Sequence, residues 1–290
     1  MTAAVIAGRA TAPSISDRRG EAARLVGTGA AILGASVLAD SAIEHYEGEY
    51  HNPAMFVAPL AAAAVTAAAL SEPGPPAERP KIPSLAGALH LGGMAVGVSG
   101  LGFHLFNIGK RPGGFSWPNL FYGAPFGAPG ALCLAGLFGF LAKRLGGSEA
   151  EKVIDGNARL LAGLTGASLL ATTAEVAVLH FRGAFQNRAM YLPVIVPPIT
   201  GVALLGQAMR PAPQPLTRAF LWVTGALGLI GTGFHAYGVG RSMGGWRNWR
   251  QNLLAGPPMP APISFTGLAL AGLAALRLGG DAARRREARK

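Results

Sequence analysis

Four histidines recur in one setting, and with two acids they are the residues whose types and spacing suit chemistry. The run from His45 reads His-Tyr-Glu-Gly-Glu-Tyr-His-Asn-Pro-Ala-Met-Phe, and the run from His180 reads His-Phe-Arg-Gly-Ala-Phe-Gln-Asn-Arg-Ala-Met-Tyr. His45/His180, Gly48/Gly183, Asn52/Asn187, Ala54/Ala189 and Met55/Met190 coincide at a constant offset of 135 residues. Five residues before each histidine stands an acid, Asp40 in one run and Glu175 in the other. A second pair follows in Gly102-Phe103-His104 and Gly233-Phe234-His235. Each of the four histidines leads into a stretch with Gly, Asn, aromatics and Pro.

Imidazoles from different helices suit bis-histidine ligation of haem b, or of a transition metal such as Fe, Cu or Zn. His45, His104, His180 and His235 are the expected ligands. Asp40, Glu175, Asn52 and Asn187 are expected to orient them by hydrogen bonds or to relay protons. An acid inside a membrane span costs about 2.5–3.5 kcal/mol on insertion scales and tends to mark function. Residues five apart on a helix are offset by roughly 140° and about 7.5 Å. Asp40 and His45 therefore do not hold one ion from a single regular helix. Glu44, His51 and His90 are secondary, because Leu179 and Gln186 replace the first two in the other run and His90 has no counterpart. The competing reading is that the histidines and their aromatic neighbours anchor helices at headgroup level.

Other chemistries lack their motifs. There is no Cys-x-x-Cys-His haem attachment, no His-x-x-x-His pair and no phosphate-binding glycine loop. Cys133 is the single cysteine, which excludes an intramolecular disulfide and a cysteine-based metal site. Its apolar surroundings suit a small helix-packing residue, as do the Gly-x-Gly steps within apolar runs.

The elements that must position these residues are membrane spans. Half of the 290 residues are hydrophobic and 13% are charged, with 42 glycines and 22 prolines; a soluble domain carries about 25% charged residues. Apolar runs predict eight spans near 24–43, 53–71, 84–107, 121–142, 158–180, 190–209, 218–238 and 261–278. Eighteen of the 25 Lys and Arg residues fall on the side holding both termini and seven on the other. The excess predicts cytoplasmic termini and four outward connections, in a bacterial inner membrane. The net charge of +11 follows this pattern and points to anionic lipid headgroups rather than nucleic acid. No compact apolar stretch follows a basic start in the first 20 residues, so the first span is expected to act as an uncleaved anchor.

The self-match extends across the chain. Lys110 pairs with Arg241, Gly113-Gly114-Phe115 with Gly244-Gly245-Trp246, Asn119 with Asn252, and Pro125 and Pro129 with Pro258 and Pro262. The expected fold is an all-α integral membrane protein of about eight helices. Two parallel four-helix repeats, 24–142 and 158–278, would be related by a pseudo-two-fold axis along the membrane normal. Segment 1–23 precedes them, 143–157 links them, and 279–290 forms a basic cytoplasmic tail. Arg241, Trp246, Arg247, Trp249 and Arg250 form a basic, aromatic outer rim, read either as a headgroup belt or as a docking surface for a soluble partner.

These features predict a multi-pass inner-membrane protein with a histidine-held haem b or metal. It would pass electrons between an extracytoplasmic redox partner and the quinone pool. The alternatives are a small-solute or ion transporter using Asp40 and Glu175, and a scaffold subunit of a membrane complex.

Overall fold

The computed structural model describes residues 15–71, 84–145, 154–210 and 215–288. The start of the N-terminal segment, the loops 72–83 and 211–214, most of the linker between the halves and the last two residues lie outside the described residues. What is described is entirely helical and turn, with no strand. The helices are α1 (Ile15–Glu47), α2 (Val57–Leu70), α3 (Leu85–Gly109), α4 (Trp117–Phe121) and α5 (Gly127–Leu145), then α6 (Ile154–Arg182), α7 (Leu192–Met209), α8 (Pro215–Arg241), α9 (Trp249–Leu254) and α10 (Ser264–Ala288). Short 3-10 turns at Pro53–Phe56, Arg188–Tyr191 and Gly245–Asn248 lead into α2, α7 and α9.

Seven helical stretches are long and apolar enough to cross a membrane, counting the 3-10 turns before α2 and α7. In α10 the apolar part, Ser264–Gly280, is shorter. At 1.5 Å per residue it reaches roughly 25 Å, against about 30 Å of hydrocarbon. Apolar runs predict eight spans, and seven meet the length among the described residues. The protein is an all-helical chain with the character of a multi-pass membrane protein. Its outward faces agree, since Val98, Phe103, Ile195, Val202, Trp222 and Ile230 are exposed apolar residues on α3, α7 and α8.

In the first half α1, α2, α3 and α5 pack in a closed circuit, each against the next. In the second half α6, α7, α8 and α10 do the same. The halves meet chiefly where α1 lies along α10, and α5 barely touches α6. The two seams between the halves are thus unequal. The core runs through this centre, with Val26, Leu33, Phe138, Leu169, Phe265 and Leu268 buried together.

Without a hydrophobic drive between helices in lipid, close approach rests on small residues. A Cβ on Gly29 would fall 2.6 Å from the Gly267 carbonyl oxygen, and one on Gly166 would fall 2.7 Å from that of Gly201. Glycine is obligatory at these crossings of α1 with α10 and of α6 with α7. Cys133 packs its backbone against Gly97 in the same manner.

Candidate functional site

The four histidines share one hydrogen-bonding arrangement. His45 Nδ1 bonds the Met55 carbonyl at 2.6 Å and His180 Nδ1 the Met190 carbonyl at 2.8 Å. His104 Nδ1 bonds the Pro125 carbonyl at 2.6 Å and His235 Nδ1 the Pro258 carbonyl at 2.8 Å. A carbonyl only accepts, so each Nδ1 carries the proton and donates. In the neutral ring the tautomer is fixed and Nε2 keeps its lone pair. Each histidine ties the end of one long helix (α1, α3, α6 or α8) to the entry of the next span.

The local sequence explains why these carbonyls need a donor. In a helix a carbonyl is satisfied by the N–H four residues on. Four residues beyond Met55, Pro125 and Pro258 stand Pro59, Pro129 and Pro262, which have no N–H to give. For Met190 the proline, Pro193, stands three residues on. At Met55, Pro125 and Pro258 the imidazole supplies the donor that proline removed; at Met190 the fourth residue on is Val194, which keeps its N–H. An unpaired carbonyl at membrane depth would cost several kcal/mol. The Pro258 carbonyl also accepts the Ala261 N–H, at 3.3 Å.

Around His45 and His180 the two hairpin turns agree bond for bond. Tyr50 N–H donates to the His45 carbonyl and Phe185 N–H to the His180 carbonyl. Glu49, Tyr50, Ala184 and Phe185 all take positive φ, between 45° and 55°, a left-handed turn costly for residues with a Cβ. Stacking holds it: Tyr50 lies on Phe56 with centroids 4.1 Å apart, and Phe185 on Tyr191 at 4.6 Å. Gly48 and Gly183 recur because the Met55 and Met190 methyl groups lie over them. Asn52 and Asn187 each cap the following turn, accepting the N–H of Ala54 and of Ala189 at 2.9 Å. Both asparagines are exposed.

The histidines gather as two pairs. His104 lies within electrostatic reach of His45, and His235 of His180. Each pair joins two helices of one half, and all four rings are half-buried. Among the described residues no group of three or more His, Cys, Asp or Glu side chains is placed to hold a metal ion.

Asp40 of α1 and Glu175 of α6 lie within electrostatic reach of each other across the halves, and Glu44 acts on Asp40 more strongly. The Glu175 carboxylate accepts the backbone N–H groups of Gly127 and Phe126 at the start of α5, and Arg182 attracts it. This contact joins α6 to α5 where the rest of their seam is open. In the other half the residue matching Gly127 is Pro260, which has no N–H to offer and whose carbonyl accepts from Ser36 Oγ at 2.7 Å.

Two cation–aromatic contacts flank the acids. Arg250 of α9 sits over Tyr46 of α1, 5.4 Å from the ring centroid. Arg182 of α6 sits over Phe121 of α4 at 5.1 Å. Of the rim residues, Arg241 covers Tyr237, and Trp246, Arg247 and Trp249 are exposed. Outside these sites His90 is buried in α3 with its ring against Gly139 of α5, a packing position in keeping with its lack of a repeat partner.

The fold and site define a helical, multi-pass membrane type of protein with two histidine-clasped halves. No family model, no curated protein and no solved structure matches the chain.

Proposed function

We propose that the protein is a histidine-ligated redox subunit of a bacterial inner membrane. His45 with His104, and His180 with His235, would each hold a haem b or a transition metal through Nε2. The observation that carries this reading is the common tautomer: all four Nδ1 atoms donate to backbone carbonyls, leaving four Nε2 lone pairs. Metal-ligating histidines almost always anchor their other nitrogen this way. Two-histidine sites suit haem, whose porphyrin supplies the remaining ligands. The group would supply one-electron transfer, and the chain would orient it. We place both termini in the cytoplasm, with the partners an extracytoplasmic redox protein and the quinone pool. The halves are read as duplicated repeats about an approximate two-fold axis, closed along α1 and α10 and open along α5 and α6.

The test is the absorption spectrum, pyridine haemochrome and metal content of the purified protein, with His→Asn at each position. Asparagine keeps a donor near the place of Nδ1 and removes Nε2. The expected result is a stoichiometric cofactor, lost from Asn variants that remain folded. A colourless, metal-free native protein would overturn the proposal.

A second reading is favoured by two acids, Asp40 and Glu175, within electrostatic reach of each other across the halves. Paired acids inside a membrane suit a proton or cation pathway, and the repeats suit a transporter. Flux in proteoliposomes should then collapse in Glu175→Gln; flux left unchanged by that substitution would remove this reading. A cofactor-free protein without flux is the result a scaffold subunit would give.

A further inference from the structure

The rim of the second half differs in charge from that of the first, and the difference is built into the chain. No Asp or Glu occurs between Glu175 and Asp281. At the histidine end this half exposes Arg182, Arg188, Arg241, Arg247 and Arg250. The corresponding end of the first half exposes Lys110 and Arg111 against Glu44, Glu47 and Glu49. The repeat substitutes Arg182 for Glu47 directly.

The rim is held in a fixed shape. Gly244 and Gly245 turn the chain at φ 81° and 53°. Asn252, buried behind them, donates to the Gly245 carbonyl at 2.8 Å and the Met243 carbonyl at 3.2 Å. Trp246 folds back over Gly240, beside Arg241. Arg247 and Arg250 stand three residues apart, one in the 3-10 turn and one in α9. Among the described residues, Arg241 and Arg250 rest on aromatic rings and form no ion pair with an acid. A guanidinium lying over a ring keeps its edge N–H groups free for the paired oxygens of a phosphate. Interleaved with them are exposed apolar groups: Met243 at 92%, Trp249 at 58% and Trp246 at 53% exposure.

We infer that Arg241, Arg247 and Arg250 with Trp246 and Trp249 form a binding site for the phosphate headgroup of an anionic phospholipid, present on the second half only. The occupant follows from the mixture. A lipid offers phosphate oxygens directly above acyl chains and satisfies the arginines and the apolar side chains together. The acidic face of a soluble protein would satisfy the arginines and leave Trp246, Trp249 and Met243 against water.

The experiment is native mass spectrometry of the purified full-length protein with phosphatidylglycerol or phosphatidylcholine in mixed micelles. Three arginines at an anionic surface amount to a preference on the order of a hundredfold. The native protein should retain phosphatidylglycerol with that preference. Arg241→Gln, Arg247→Gln and Arg250→Gln combined should abolish it, and Lys110→Gln with Arg111→Gln should leave it in place. If the triple variant does not fold, a salt titration of the native protein decides, because the preference must fall steeply with ionic strength. Equal retention of both lipids overturns the inference, as does a preference that survives the triple substitution, falls equally in the Lys110 and Arg111 variant, or resists salt.

Discussion

Replacing His104 by Ala removes the Nδ1 donor that the Pro125 carbonyl receives at 2.6 Å. Pro129 stands four residues further on and offers no N–H in its place. Losing a hydrogen bond of this kind and leaving its acceptor unmet costs about 1–3 kcal/mol, and the half-buried ring puts the value in the lower part of that range. The donor argument is isolated by Pro129→Ala, which returns an N–H to the start of α5. Pro129 also packs on α3, where a Cβ at Gly100 would meet its Cβ at 3.1 Å, so Pro129→Ala alone costs some packing. The informative quantity is the coupling in the double-mutant cycle. The backbone N–H that Pro129→Ala restores can donate to the carbonyl that lost His104. The double variant should therefore be less destabilised than the sum of the singles, by about 0.5–3 kcal/mol. His104→Asn, which keeps a donor, should cost less than His104→Ala. Reversible unfolding in mixed micelles, followed by helical circular dichroism, gives each corner of the cycle. Additivity within about 0.5 kcal/mol would refute the idea that imidazole stands in for a missing backbone donor. The same logic ranks the other sites. His45→Ala should resemble His104→Ala, and His235→Ala should be milder because Ala261 N–H already reaches Pro258. His180→Ala should also be mild, since Val194 stands where the other sites carry proline.

Three further outcomes test the surrounding geometry. Gly127→Ala would place a Cβ 2.8 Å from Glu175 Oε1, so the flexible carboxylate must swing off the start of α5 and forfeit its backbone partners there, a loss of about 1.5–3 kcal/mol, while Gly130→Ala meets nothing within 4 Å; equal melting temperatures would show that the Glu175 contact with α5 does not form. Ala184→Gly relieves a φ of 54° at a left-handed position that costs roughly 1–2 kcal/mol with a Cβ, against an entropic cost near 0.5–1 kcal/mol; Tm should rise by about a degree or two, and a fall would contradict the turn. Asn187→Ala loses the bond from Ala189 N–H and should destabilise by about 0.5–2 kcal/mol; thermal unfolding unchanged at both Asn187 and Asn52 would deny their capping role.

The spans are legible because apolar runs and their flanks carry the signal directly, and the differences have local causes. α1 starts at Ile15 rather than near 24, because Asp17, Arg18, Arg19, Glu21 and Arg24 are sound helix residues that extend a helix beyond its apolar part. The fourth span, expected from 121, begins at Gly127, since Gly123 and Pro125 break the helix and set α4 apart. The histidine clasp is half visible: each histidine is followed by a proline-bearing entry, but joining His104 to a carbonyl 21 residues away requires the hairpin itself. The electrostatic reach between Asp40 and Glu175 is not readable, because it depends on how the halves pack. The open seam between α5 and α6 is hidden for the same reason, since a repeat read along the sequence implies equal seams.

The clasp and the proposed ligation do not compete for the same atoms. If a carbonyl needed only a donor, Asn, Gln, Ser or Trp would serve, and the two halves had room to differ. They do differ nearby: Glu44 faces Leu179, Glu47 faces Arg182, and His51 faces Gln186. At the four clasps both halves keep imidazole, and all four rings use Nδ1. Imidazole is the side chain that donates from one edge while presenting a lone pair at the other. A purely structural clasp leaves the second edge without purpose, whereas a ligand needs both edges, one held still and one free. The retention of histidine amid this divergence is therefore the reason to look for a cofactor on the two pairs, and asparagine at the same positions separates the two roles because it preserves only the first.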